Sequence, residues 1–241
     1  ALGPLLLILT GSAGMLPFIA TSSLILCAGI PLFIVHQRQM ARHEEQHGGL
    51  WRVFWLAPAV MLANVAYAAA AESLLTFFPI FGIGLGLGEN FTLGLMTVMG
   101  FGAMILVMPL SWLADHTDRM GMLAVCVLLT LLGLLLMPSL IREGWLAGVY
   151  AFVFGGVEGM IYTLGVILVG ERFKGALLAA ATTLFTACWG AGTVLGPLVV
   201  GLGMDWLGDE RMALIIAALF AVYLPLPVIS WYRGRKVPDV S

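Results

Sequence analysis

The sequence predicts an all-α polytopic membrane protein, and three observations carry that expectation. Hydrophobic residues make up 61% of the 241 and charged residues only 10%, with a mean hydropathy of +1.05; a soluble domain carries about a quarter charged residues. Charge-poor runs long enough to cross a hydrocarbon layer of about 30 Å recur along the chain, separated by short polar turns. Lysine and arginine fall almost wholly on alternate turns. The net charge of −2 singles out no partner, and no basic run points to nucleic acid.

In order, the apolar segment 1–9 is too short to cross and reads as the end of a helix; it lacks the basic flank and cleavage pattern of a signal peptide. Spans are predicted at 15–35, 53–83, 91–113, 120–141, 145–169, 177–204 and 212–232. The one sizeable polar loop, 36–52, reads as a linker between two bundles. The predicted organisation is therefore 1–35 as the end of one transmembrane bundle, 36–52 as linker, 53–232 as a six-helix bundle, and 233–241 as a tail. Cys27, Cys126 and Cys188 sit inside apolar spans and read as small core residues.

Arg38, Arg42, Arg52, Arg119, Arg172, Lys174, Arg233, Arg235 and Lys236 lie on one set of loops; the alternate set holds only Arg142 and Arg211. The positive-inside rule then makes the linker, the 115–119 and 171–175 turns and the C-terminus cytoplasmic. From Gly175 to Met204 the chain carries no formal charge, yet it holds Gly190, Gly192, Gly196, Pro197, Gly201 and Gly203. Small residues let membrane helices approach closely, and neighbours re-satisfy backbone groups that proline frees. This span is expected to bend and to pack tightly. Leu2-Gly3-Pro4-Leu5 recurs as Leu195-Gly196-Pro197-Leu198, which is either a trace of an internal repeat or a coincidence among abundant residues.

Two acids lie deep in apolar spans. Glu72 follows a long uncharged run from Val53 and shares a helical face with Asn64 and Ala68, with Tyr67 one step round. A carboxylate at that depth costs a few kcal/mol on insertion scales, so it faces a cavity or a partner. It is either a proton carrier, a hydrogen-bonded structural acid, or a residue nearer the outer interface. Glu158 lies in Gly155-Gly156-Val157-Glu158-Gly159, one turn from Tyr162; it is either a substrate or proton site or a structural hydrogen bond. Trp189, Phe77, Phe78 and Phe185 either line a pocket or face core and lipid, whereas Trp51, Trp55, Trp145, Trp206 and Trp231 fall at span ends as interface anchors. Asp115, Asp118 and Arg119 form a charged turn, either gating or simply solvated. His43-Glu44-Glu45-Gln46-His47 has the spacing of a zinc-protease helix, but Gly48-Gly49 follow at once and no third ligand is near; a chance match accounts for it better.

Pro109-Leu-Ser-Trp-Leu-Ala-Asp115-His-Thr-Asp118-Arg119 resembles the loop between the second and third helices of a half in the major facilitator superfamily. Gly190-x-Gly192-x3-Gly196-Pro197-x3-Gly201, followed by Asp205, resembles the penultimate helix of that family's C-terminal half. Residues 161–173 (Ile161 to Phe173, with Gly170-Glu171-Arg172) and 72–82 (Glu72 to Gly82, with Pro79) look like its bacterial YcaD-like branch. The chain departs from the loop pattern at Ser111, His116 and Met120.

The resemblance implies helices five, in part, to twelve of a twelve-helix secondary transporter of a bacterial cytoplasmic (inner) membrane. The remaining N-terminal helices would come from the same or another chain. It implies alternating access, with Asp115, Asp118 and Arg119 pairing with Glu171 and Arg172 in one conformation, and with Gly192, Gly196 and Pro197 supporting gating. The expected activity is transport of a small organic solute, coupled to protons through Glu72 first and Glu158 second, with Asn64, Tyr67, Tyr162 and Trp189 lining the path. Membrane lipid, solute and protons are the expected partners; no metal, cofactor, enzyme activity or nucleotide-binding loop is expected. A non-transporting assembly subunit is the alternative, and an intramembrane zinc protease the remote one.

Overall fold

The computed structural model describes residues 50–234. Helices α1 (Leu50–Leu56), α2 (Pro58–Gly84), α3 (Glu89–Ile105), α4 (Val107–Asp115), α5 (Arg119–Leu140), α6 (Trp145–Arg172), α7 (Ala176–Leu207), α8 (Met212–Tyr223) and α9 (Pro225–Gly234) follow one another, with a 3-10 turn at Asp209–Arg211. Together they make six helical units long and apolar enough to cross a membrane, α3 with α4 and α8 with α9 each forming one. The described chain is an all-α polytopic bundle. The segments 1–9 and 15–35, Cys27, the Leu2–Leu5 echo, the His43–His47 match and the tail from 235 lie outside the described residues.

Prolines explain where the predicted spans break. Ala57, at φ −142° and ψ 53°, leaves helical geometry immediately before Pro58, as a residue preceding proline is pushed to do. The expected span 53–83 is thus a short α1 followed by a 27-residue α2. The chain turns again at Leu106, three residues before Pro109, and at Leu224, between Tyr223 and Pro225. Each proline lacks an N–H and crowds the carbonyl four residues back. Pro79, Pro138 and Pro197 sit within unbroken helices. Gly175 and Gly208, which bound α7, have φ of +56° and +97°; both lie in the left-handed region that side chains avoid, so glycine is needed there to turn the chain sharply.

Helices α2 and α6 occupy the middle. The first touches α1, α3, α6, α7, α8 and α9, and the second touches α2, α3, α4, α5 and α7. Two glycine seams set these approaches. A side chain at Gly102 would run into the Phe152 carbonyl, one at Gly155 into the Met99 carbonyl, and one at Gly156 into Leu106; this is the α3–α6 seam. Along α7, Gly192 meets Val65 and Ala68, and Gly196 meets Ala69, all on α2. Without a hydrophobic effect between helices in lipid, such close backbone contact supplies the dispersion that holds them together.

Among the described residues, side-chain to backbone hydrogen bonds tie several helices together. Tyr223 Oη donates to the Ala59 carbonyl at 2.8 Å, Tyr150 Oη to the Gly133 carbonyl at 2.9 Å, and Asn64 Nδ2 to the Phe185 carbonyl at 2.6 Å. Cys126 and Cys188 are free and buried, as small core residues should be. Trp51, Trp55, Trp145 and Trp206 are exposed at helix ends, where indole rings anchor a bundle to the lipid–water boundary. Trp231 differs from them: it is half-buried and seated on Gly121.

Candidate functional site: a buried acid and a charged rim

The middle of the bundle contains a cleft of about 140 Å³ between α2, α3 and α6. The lining follows from helical spacing. On α2, Ala71, Leu74 and Phe78 recur on one face; on α6, Gly155 and Glu158 lie about one turn apart; α3 adds Met96, Met99, Gly100 and Ala103. Gly155 lets α6 approach the Met99 carbonyl of α3 beside this cleft. Glu158 is 7% exposed, and its Oε1 is buried without a hydrogen-bond partner among the described residues. Leaving a buried polar atom unpaired is unfavourable by about 1–3 kcal/mol, so it marks a place where something other than packing is being served.

One turn from the cleft, Tyr67 and Tyr162 meet Trp189. Their ring centroids lie 5.8 Å (Tyr67–Tyr162), 5.8 Å (Tyr67–Trp189) and 5.0 Å (Tyr162–Trp189) apart, and Phe185 joins at 5.7 Å from Tyr162. Helices α2, α6 and α7 therefore converge on one aromatic cluster, and Tyr67 lies within electrostatic reach of Glu158, Tyr162 and Glu72. Of the residues singled out from sequence, the structure gathers Tyr67, Glu158, Tyr162 and Trp189 most closely. Glu72 is half-buried and makes no hydrogen bond or ion pair among the described residues. Asn64 is turned to α7, where it donates to the Phe185 carbonyl, and its Oδ1 is buried without a hydrogen-bond partner among the described residues. Phe78 lines the cleft, while Phe77 lies over Gly201.

The second cluster stands at the end of the bundle where α4, α5, α6 and α9 meet, around a recess of about 600 Å³. Arg119 donates to Asp115 at 2.7 Å and also to Glu171. One guanidinium thus joins the α4 end to the α6 end, and Asp115 reaches Glu171 only through it. Asp118 is not part of this bridge: its carboxylate accepts the Gly121 N–H at 3.1 Å and caps α5. Arg172 lines the recess and is exposed, without an ion pair among the described residues. Gly192 and Gly196 point to α2 of the same bundle, and Pro197 is half-buried beside them.

Sequence reading missed the contribution of α3 (Met96, Met99, Gly100 and Ala103) and that of Thr117 and Ser230 at the rim. The available signal was Gly102 in α3 together with the Gly155-Gly156 pair in α6, which pack closely against one another's helices. Among the described residues no group of three His, Cys, Asp or Glu stands close enough to hold a metal ion.

Comparison with known proteins agrees with this architecture. The family description Major Facilitator Superfamily matches residues 91–241. An uncharacterized MFS-type transporter, YfkF, of Bacillus subtilis (strain 168) is 24% identical over 233 residues, covering 94% of this chain and 59% of that protein. An uncharacterized MFS-type transporter of Yersinia pestis (strain Pestoides F) and one of Yersinia pseudotuberculosis serotype O:1b (strain IP 31758) are each 22% identical over 204 residues, covering 84% of this chain. The chain spans 52% of each Yersinia protein, about half their length.

Proposed function

The chain belongs to the Major Facilitator Superfamily, and from that premise we propose that the whole protein is a secondary transporter moving a small organic solute by alternating access. The six-helix bundle 53–232 rocks against a second bundle, supplied by the same or another chain, around a site at mid-membrane. Segments 1–35 and 36–52 are the end of that second bundle and the linker, and 233–241 is a cytoplasmic tail. The positive-inside pattern supports a cytoplasmic rim at residues 115–119 and 171–175 in a bacterial inner membrane, and the motifs at 72–82 and 161–173 support the YcaD-like branch.

The observation that carries the reading is Glu158, a buried acid whose Oε1 has no hydrogen-bond partner among the described residues, beside a mid-bundle cleft. Such an acid is suited to take and release a proton as the cleft opens to either side. Its burial favours Glu158 over Glu72 as the main carrier, with Glu72 as a relay within reach of Tyr67. At the rim, Arg119 between Asp115 and Glu171 holds α4 and α6 together in one state and releases them in the other.

The test is solute-dependent proton flux in liposomes holding the full-length protein and a trapped pH dye. Flux is expected with the wild type, abolished by Glu158→Gln and reduced by Glu72→Gln. Flux at the wild-type rate in both variants rules out the proton role. No gradient-driven flux across all solute classes tried would favour a non-transporting assembly subunit.

A further inference from the structure

We infer that the cleft and the aromatic cluster beside it bind an apolar organic cation, an ammonium head carrying apolar substituents. The inference rests on the reading that this cleft is the solute site, and it names the chemistry of the solute.

The cleft presents one acid and no base: Glu158 is the sole charged residue of its lining, the rest being Ala, Gly, Leu, Met and Phe. Helices α2 and α3 contain no Lys or Arg, and α6 has none before Arg172. Among the described residues the Glu158 charge therefore has no counter-ion near the cleft, and a ligand's positive charge would supply it. An anionic solute would meet an unneutralised carboxylate and is disfavoured. A sugar would need several hydrogen-bonding side chains to replace its water, and the lining offers only Glu158.

The aromatic cluster gives the second, independent indication of a cation. Glu158 and Tyr162 lie one turn apart on α6, and Ala71 and Tyr67 one turn apart on α2, so the rings continue the cleft along the bundle axis. Tyr162 is 37% exposed and Trp189 half-buried. Ring faces attract a cation through their quadrupole, Trp most strongly. The cleft's volume, about 140 Å³, is small beside ligand pockets of roughly 300–1,000 Å³. It admits an ammonium head with its substituents, and the remainder of a larger ligand lies over the rings. Met96 and Met99 supply polarisable, adaptable walls for such substituents.

The experiment is calorimetric binding of phenyltrimethylammonium to the full chain in lipid nanodiscs, with benzenesulfonate as the anionic control. The cation is expected to bind and the anion not. Glu158→Gln should weaken the cation about tenfold or more, since the paired charge is lost. Trp189→Leu should weaken it about fivefold, within the range of a cation–π contact. Glu143→Gln, the same change on an exposed turn, should stay within about twofold. Should Glu158→Gln fail to fold, Glu158→Asp keeps the charge and Trp189→Leu still reports on the rings; both must weaken binding.

Equal binding of anion and cation, undiminished binding in Glu158→Gln, or no cation binding at millimolar concentration would each overturn the inference. Binding does not require flux. Cation binding without gradient-driven transport would leave the inference standing and remove the transport reading; solute-coupled flux without cation binding would do the reverse.

Discussion

The acids of the rim and the acid of the cleft have opposite energetics. At the rim, Asp115 and Glu171 share the guanidinium of Arg119 in contact with water, where ion pairs contribute little and form and break readily. In the cleft, Glu158 is enclosed by apolar walls with an unpaired oxygen, where the same carboxyl is expensive. The contrast teaches that a carboxylate's meaning in a membrane bundle comes from what surrounds it. The rim is suited to a latch that opens at small cost, and the cleft to a site whose occupant removes a standing penalty.

The comparison breaks most readily at the scaffold that keeps the two clusters apart. Gly155→Leu would force α6 away from the Met99 carbonyl of α3, and a loss of about 3 kcal/mol or more in detergent unfolding is expected, at the upper end for overpacking. Gly190→Ala, which meets no atom within 4 Å, should stay within about 0.5 kcal/mol. If both behave alike, the seam does not set the cleft.

Next in size is Glu158→Met, which replaces an unpaired acid with an apolar side chain of similar length. It should raise stability by about 1–3 kcal/mol while abolishing solute-coupled flux. A destabilised variant would show that the acid has a partner in the folded state.

Asp118→Ala removes the cap on the α5 N-terminus and should cost about 1 kcal/mol. The smallest effect belongs to Arg119→Gln, less than about 1 kcal/mol and smaller still at high salt, measured in the same unfolding assay. A larger, salt-insensitive loss would mean that the rim is buried structure and not a latch.

Much of this was legible in the sequence. The six spans follow from charge-poor runs, and Tyr67, Glu158, Tyr162 and Trp189 stood out as polar or aromatic groups in apolar surroundings. Three things were not. Which proline breaks a helix depends on neighbours: the chain breaks near Pro58, Pro109 and Pro225, yet runs through Pro79, Pro138 and Pro197. Which acid is enclosed was also hidden, because α2 and α6 are apolar on nearly every face and no polar stripe reveals their rotation. Which helix Gly192 and Gly196 pack against was hidden too; it is α2.

The meeting of Tyr67, Tyr162 and Trp189 also makes the bundle its own optical ruler. Tyrosine excitation passes to a tryptophan at such centroid separations, and the donors and acceptor ride on three different helices. In a variant keeping Trp189 as the sole indole, sensitised emission would dim as α2, α6 and α7 part and brighten as they close. Rearrangement of the bundle could then be followed in real time without an attached dye.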